Sequence, residues 1–325
     1  MQDKVALEEH FATSDTVEDS RRFVPPGCWE ELRSRLLDVH DSRIKEMDEN
    51  GIELSIVSLN APAVQAVPQR RQAEELARRA NDELAAQVAR SGSRLRAFAA
   101  LPLQDPDSAA AELRRAVTEL GMVGALVNGF SEAEDHEGPQ YYDAPRYRGF
   151  WAEVARLDVP VYLHPRNPLP ADARIYAGHE WLLGPTWAFA QETAVHALRL
   201  MGSGLFDEHP NLAIILGHLG EGLTFNMWRV DNRNSWTGQP PRHNGRRSIR
   251  EYFRSNFYLT TSGNFHTPAL RNAIAEVGVE KMLFSTDWPF ENMDHAAVWF
   301  DQLGLTPAEQ VKIGRDNARR LFKLE

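Results

Sequence analysis

Eight short apolar runs alternate with amphipathic stretches along this chain, and that alternation limits the possible fold more than any other feature. The runs lie at residues 4–10, 53–59, 95–101, 123–128, 159–164, 212–218, 257–261 and 281–286. Helical patterns fall between and after them, at 69–91, 107–120, 146–157, 189–206, 221–235, 267–277 and 307–322. Strand–helix alternation of this kind builds parallel sheets, and eight units are enough to close one on itself. The expected fold is therefore α/β, a (β/α)8 TIM barrel, in one domain spanning 1–325; such barrels commonly use this length as a single unit. The competing architecture is an open doubly wound sheet. No glycine-rich phosphate turn follows any run, which weighs against it.

Two segments exceed what a minimal barrel needs. After strand one, residues 11–50 hold a Pro-Pro-Gly break and then a helical pattern through Met47. After strand five, residues 165–188 are rich in proline and aromatics. Long excursions after strand C-termini are where barrels carry lids and substrate loops, so 11–50 is the expected lobe or lid. Trp181, Leu182, Leu183, Trp187 and Phe189 fit either core or a subunit contact.

With 36 basic and 46 acidic residues the formal charge is −10, which argues against nucleic acid or an anionic membrane as partner. The basic stretch Arg242–Arg250 reads as a solvated loop. Cys28 is the single cysteine, so neither an intrachain disulfide nor a thiolate cluster can form. No apolar stretch approaches the roughly 18 residues of a membrane span, and Glu8, Glu9 and His10 interrupt any signal-like run; a cytoplasmic location is the expectation.

Chemistry enters at the ends of the apolar runs. Glu8 and His10 stand two apart in the first, His164 ends the fifth, His218 the sixth, and Asp287 follows the eighth. Singly, each has a bland explanation: a hydrogen-bonded core histidine, a turn aspartate, a solvent-facing pair. Together they are five metal-capable side chains at the same end of four strands, which in a barrel means one mouth. On alternation alone, Glu8 and His10 leave the same strand face. Carboxylates and imidazoles without sulfur suit Zn²⁺ or Mn²⁺, with Fe²⁺ and Co²⁺ possible. Asn128 ends the fourth run, where a bridging lysine would be needed for two metals, so one divalent ion is expected. The remaining histidines read as structural or surface.

Four segments carry a family likeness: Ala-Leu-Glu-Glu-His-Phe (6–11), Tyr-Leu-His-Pro-Arg-Asn-Pro (162–168), His-Pro-Asn-Leu-Ala-Ile-Ile-Leu-Gly-His-Leu-Gly-Glu-Gly (209–222) and Phe-Ser-Thr-Asp-Trp-Pro-Phe-Glu (284–291). With them the chain resembles, end to end, the amidohydrolase superfamily, in the decarboxylase branch typified by amino-carboxymuconate-semialdehyde decarboxylase and the hydroxybenzoate decarboxylases. Segments 58–65, 100–106 and 125–130 are most similar to the decarboxylases of 2,6-dihydroxybenzoate. Many hydrolases of the superfamily open with His-x-His; Glu8 in the first position moves weight toward decarboxylation.

The resemblance implies non-oxidative, reversible loss of CO₂ from an ortho-hydroxybenzoate, with one divalent ion and no organic cofactor. It implies Glu8, His10, His164 and Asp287 as ligands and Asp287 also as proton donor to the ring. His218 and Glu221, three residues apart, suit a dyad that orients substrate or water. Arg229 is a candidate for a substrate oxygen, with a surface salt bridge as the plain alternative. Asn60 and Asn128 end strands two and four, where amides reach a second hydroxyl. Phe23, Phe189 and Phe290 are carried over as aromatic walls, and His164 as a substrate contact as well. The family is usually tetrameric or dimeric. Two other readings stand beside this one: a metal-dependent hydrolase of a lactone or aromatic amide, and a catalytically inert barrel used for binding.

Overall fold

The computed structural model describes residues 1–24, 27–236 and 242–324. Eight strands form one parallel sheet: β1 (Lys4–Phe11), β2 (Ile52–Leu59), β3 (Leu95–Ala99), β4 (Gly124–Asn128), β7 (Val161–His164), β8 (Ile214–Leu216), β9 (Phe257–Thr260) and β10 (Met282–Leu283). They neighbour one another in that order, with helices around them. The remaining two, β5 (Ser131–Ala133) and β6 (His136–Gln140), make an antiparallel hairpin outside the barrel that the sequence reading did not anticipate. The His10 amide donates to the Trp288 carbonyl at 2.7 Å, which ties the first strand to the segment after the last. This is the expected (β/α)8 barrel.

Burial divides each strand between two layers. Val5, Leu7, Leu54, Ile56, Phe98, Leu126, Tyr162, Ile215 and Leu283 form a buried inner cluster, closed below by Ala318 and Phe322. The alternate residues Ala6, Val57, Ala97, Ala125, Leu163, Ile214 and Leu216 face the helices. Period-two alternation with both faces buried is what a helix-wrapped sheet requires. The Arg70–Arg90 helix shows the matching pattern: Ala73, Ala77, Ala80 and Leu84 make one buried stripe.

The later strands are shorter than their apolar runs. Expected 281–286 contracts to Met282–Leu283 because Phe284 donates its amide to the Ile313 carbonyl instead of continuing the ladder. The expected helix 307–322 is accordingly interrupted by a π-helical turn at Lys312–Asp316, between Pro307–Val311 and Asn317–Phe322. Helices Ile249–Asn256 and Met293–Asp301 also went unread. The basic stretch is a loop through Ser248, as read, and enters the first of these helices at Ile249. Ser248 and Glu251 cap that helix reciprocally, and Arg250 pairs with Glu276.

Residues 11–50 fold as a 3₁₀ turn (Val17–Phe23) and two helices, α1 (Trp29–Leu37) and α2 (Asp41–Glu49). The single expected helical pattern breaks at Asp38, whose carboxylate accepts the amides of His40, Asp41 and Ser42 at 2.7–2.9 Å and so starts α2. Pro25 and Pro26 of the sequence break lie outside the described residues. In the 165–188 excursion, Trp181 and Trp187 are 68% and 51% exposed, so they are not core.

Candidate metal centre

The centre begins with a β-bulge. Val5 and Leu7 point into the barrel, so unbroken alternation would turn Glu9 inward as well and send both Glu8 and His10 to the outer face. Instead the register slips between Leu7 and Glu9, which pair with Ile56 and Val57, and Glu8 takes a left-handed φ of 70°. The extra residue shifts the phase. Glu8 and His10 turn inward, and Glu9 turns out toward the helices. The two ligand candidates share a side, as their spacing of two predicts, and the bulge makes that side the inner one.

Glu8 is fully buried, and its two oxygens have different neighbours. Oε2 accepts from the hydroxyls of Tyr162 and Ser262, with Thr260 Oγ1 at 3.3 Å. Oε1 has no hydrogen-bond partner and lies 3.4 Å from His164 Nε2 and 3.8 Å from His218 Nε2. The hydroxyls therefore occupy one oxygen and leave the other for a ligand-binding role. Gly217 makes room for this arrangement, since a Cβ there would sit 2.8 Å from Oε2. Burial pushes the Glu8 carboxyl up to about 7, against the pull of His218.

His10 is held by Ser58 Oγ, 3.3 Å from its Nδ1, and its Nε2 points at Asp287 Oδ1 across 3.3 Å. Donor atoms of Glu8, His10 and His164 lie within 4.8 Å of one another. Burial, reinforced by His10, lowers the His164 pKa well below its usual value, which keeps that imidazole neutral and able to donate a lone pair.

Asp287 adjoins this trio, with φ 69° and its second oxygen 3.6 Å from His218 Nε2. Burial alone would raise its pKa, but His10 and His218 outweigh burial and hold it low. His218 shows the converse. Burial opposes its charged form, yet Glu221, Glu8 and Asp287 raise its pKa well above the ordinary value, and its Nδ1 is 2.8 Å from Glu221 Oε1. The His218–Glu221 turn is tight, with left-handed φ at His218, Leu219 and Glu221.

These residues fit a divalent cation. Glu8 Oε1 and His10 Nε2 are buried atoms without hydrogen-bond partners that face the same point. Two carboxylates crowded there in a low-dielectric floor call for positive charge, and the sulfur-free donor set suits Zn²⁺ or Mn²⁺.

Above this floor opens a cavity of about 350 Å³. Phe23, Phe189 and Phe290 line it together with His164, His218 and Asp287. The Phe23 and Phe189 rings meet edge to face at 5.2 Å, and Phe290 stands 5.5 Å from the His10 ring. Such walls suit a flat aromatic ligand. Part of the wall comes from residues 11–50, through Leu32 and Arg35 of α1.

Three candidates lie elsewhere. The Asn60 amide nitrogen donates to the Thr16 carbonyl and to Ser20 Oγ, both at 2.8 Å, anchoring the 3₁₀ turn. Asn128 donates to the Asn60 carbonyl at 3.2 Å, and neither amide lines the cavity. Arg229 is exposed on the Leu223–Asn234 helix, away from the cavity wall. Sequence reading missed Ser58, Tyr162, Thr260 and Ser262. Each stands two residues from another inward residue, so strand alternation carried the signal.

The fold, this cluster and the sequence together define the class: the chain belongs to the amidohydrolase family, which it matches over residues 39–324. Among individual proteins, it is similar to gamma-resorcylate decarboxylase of Rhizobium sp. (strain MTP-10005), with 65% identity over 325 residues, covering 100% of this chain and 99% of that protein. A crystal structure of 2,6-dihydroxybenzoate decarboxylase complexed with 2,6-dihydroxybenzoate superposes with a TM-score of 0.98 at 65% identity, covering 100% of both chains. The dihydroxybenzoic acid decarboxylase of Polaromonas sp. JS666, solved with manganese and the inhibitor 2-nitroresorcinol, gives 0.99 at 63% identity, covering 100% of this chain and 98% of that one.

Proposed function

We propose that this protein is a metal-dependent carboxy-lyase that removes CO₂ from an ortho-hydroxybenzoate without an organic cofactor or oxidant. Its favoured reaction is 2,6-dihydroxybenzoate to resorcinol and CO₂, reversible at high bicarbonate. The reading is carried by the convergence of Glu8, His10, His164 and Asp287 on the floor of a phenylalanine-walled cavity. The full-length likeness to decarboxylases acting on that substrate class supports it.

Decarboxylation of an aryl acid needs a place for the electron pair released when the C–C bond breaks. Protonating the carboxyl-bearing carbon first converts the ortho phenolate to a ring ketone β to the carboxylate; cleavage then returns the pair to the ring and restores aromaticity. Glu8, His10, His164 and Asp287 would hold a divalent cation, which would supply positive charge to offset that of the substrate. Phe23, Phe189 and Phe290 hold the ring plane and exclude water. In this reading Asp287 delivers the proton, and His218, 3.6 Å from its second oxygen and braced by Glu221, resupplies it. His164 contacts substrate as well as cation.

Residues 1–325 act as one barrel domain, with 11–50 a lobe over the mouth and 165–188 a second excursion. Asn60 and Asn128 support that lobe and contribute to substrate fit indirectly. The working form is a homotetramer or homodimer. In support, Trp181, Trp187, Phe225, Trp228 and Trp236 are all more than half exposed, an apolar load that a second copy would cover. Arg229, beside Trp228, then faces a subunit boundary. No described helix is long and apolar enough to cross a membrane, and the cytoplasm is the proposed location.

Incubating metal-reconstituted protein with 2,6-dihydroxybenzoate and measuring resorcinol tests the function. Stoichiometric resorcinol and CO₂ are expected. No product from any ortho-hydroxybenzoate, with turnover of a lactone or aromatic amide, would replace this reading by hydrolysis.

A further inference from the structure

Outside the barrel wall, behind the cation site, lies a buried charged cluster of which only Arg35 reaches the cavity. Glu9, turned outward by the bulge, is fully buried. Its Oε1 accepts the Thr286 amide at 2.9 Å and Ser285 Oγ at 3.2 Å, and its Oε2 accepts Thr286 Oγ1 at 2.6 Å. These are the two residues that lead into Asp287. On the other side of Asp287, the Trp288 carbonyl accepts the His10 amide at 2.7 Å. Two guanidinium groups of the lobe approach the buried Trp288 ring, Arg43 at 4.1 Å and Arg35 at 5.1 Å from its centre, and its Nε1 donates to Glu46 Oε2 at 2.9 Å. Arg43 is completely buried and donates to the His10 carbonyl at 2.5 Å.

Burying an arginine and a glutamate is expensive, and only their hydrogen bonds and mutual attraction offset the cost. Here both sides of Asp287 are gripped: Thr286 by Glu9, and Trp288 by Arg43 and Glu46 of α2. Asp287 itself has a left-handed backbone, a conformation that persists only where the surroundings impose it. Arg43 also bonds the backbone of His10, a second ligand candidate, and none of Glu9, Arg43, Glu46 and Trp288 lines the cavity.

We propose that Arg43, acting through Trp288 and the His10 carbonyl and opposed by Glu9, is the positioning residue that sets Asp287 and His10 at the spacing a cation needs. Helix α2 is thus a fixed buttress of the metal centre. The inference rests on the cation-binding reading of that centre, and the unaltered chain tests that reading separately.

The experiment measures Mn²⁺ affinity of metal-free protein by competition with a chromophoric chelator, beside melting temperature, KM and kcat. If the unaltered chain fails to bind Mn²⁺, the cation reading fails, and this inference with it. If it binds, Arg43→Met is expected to weaken Mn²⁺ binding about 10- to 100-fold, the usual range for residues that orient metal ligands, and to lower kcat more than it raises KM. Arg43→Lys keeps the charge but loses the planar stack, and should recover only part of the affinity. A purely structural Arg43 predicts a lower melting temperature with Mn²⁺ affinity within twofold of the unaltered chain, and that result overturns the proposal. Should Arg43→Met fail to fold, Glu9→Gln decides: Mn²⁺ binding weakened several-fold supports the buttress, and binding within twofold rejects it.

Discussion

Below the metal centre, the barrel strands fill their interior with Val5, Leu7, Leu54, Ile56, Phe98, Leu126, Ile215 and Leu283. Above that layer the same strands end in Glu8, His10, Ser58, His164 and Thr260, all buried. The lower half follows the rules of packing: apolar side chains, regular alternation, ordinary backbone. The upper half departs from them. Of the nine described non-glycine residues with positive φ, five (Glu8, His218, Leu219, Glu221 and Asp287) belong to the centre. Strained or unpaired groups of this kind cost on the order of 1–3 kcal/mol each. They persist because the apolar half and the surrounding helices hold the frame. One end of the barrel supplies stability and the other uses it to fix charged groups where water would not leave them.

That contrast can be broken in order of expected effect. Asp287→Asn removes the proposed proton donor and one ligand charge, and should reduce resorcinol formation by about 10²–10⁴-fold with an unchanged far-UV circular dichroism spectrum. Near-normal turnover would reject the acid role. Leu54→Ala, in the lower layer, should do the opposite: a loss of about 2–5 kcal/mol in denaturant unfolding, with Mn²⁺ affinity unaltered. Tyr162→Phe lies on the boundary. It deletes one of the hydroxyls that occupy Glu8 Oε2, and should weaken Mn²⁺ binding about 10-fold with little change in stability. Equal affinity would mean that Ser262 and Thr260 suffice.

A separate prediction tests a group outside both halves. His196 is buried against Tyr141 and Tyr142, and burial, aided by Arg199, lowers its pKa to about 3. Its unfolded value is about 6.5, so as pH falls below 6.5 the unfolded chain takes up a proton that the folded chain refuses. Stability should therefore drop by about 1.4 kcal/mol per pH unit between roughly 6 and 3, with no contribution above 6.5. His196→Gln should flatten that limb relative to the unaltered chain when unfolding is followed from pH 7 to 4. An unchanged slope would show that His196 is protonated in the folded protein.

The same contrast explains what could be read from sequence. The strands and the ligand candidates were legible because apolar runs ending in Glu, His or Asp combine a burial signal with residues that resist burial. The bulge was not, since an extra residue leaves no mark in a run as short as Val-Ala-Leu-Glu-Glu-His; alternation alone would have kept Leu7 and Glu9 on one face. Asn60 and Asn128 sat at strand ends as expected, but their amides were drawn to Thr16, Ser20 and the Asn60 carbonyl, partners contributed by tertiary contacts. Arg43 and Trp288 were unreadable for the same reason. Where α2 docks depends on surfaces far apart in the chain, and no periodicity records it.

The account depends on one cation shared by Glu8, His10, His164 and Asp287. Titrating metal-free protein with Mn²⁺ while following bound metal and resorcinol formation together tests it directly. Both signals should rise in parallel and break at one equivalent per chain. Full activity in the metal-free protein, or a break in activity at two equivalents, would contradict it.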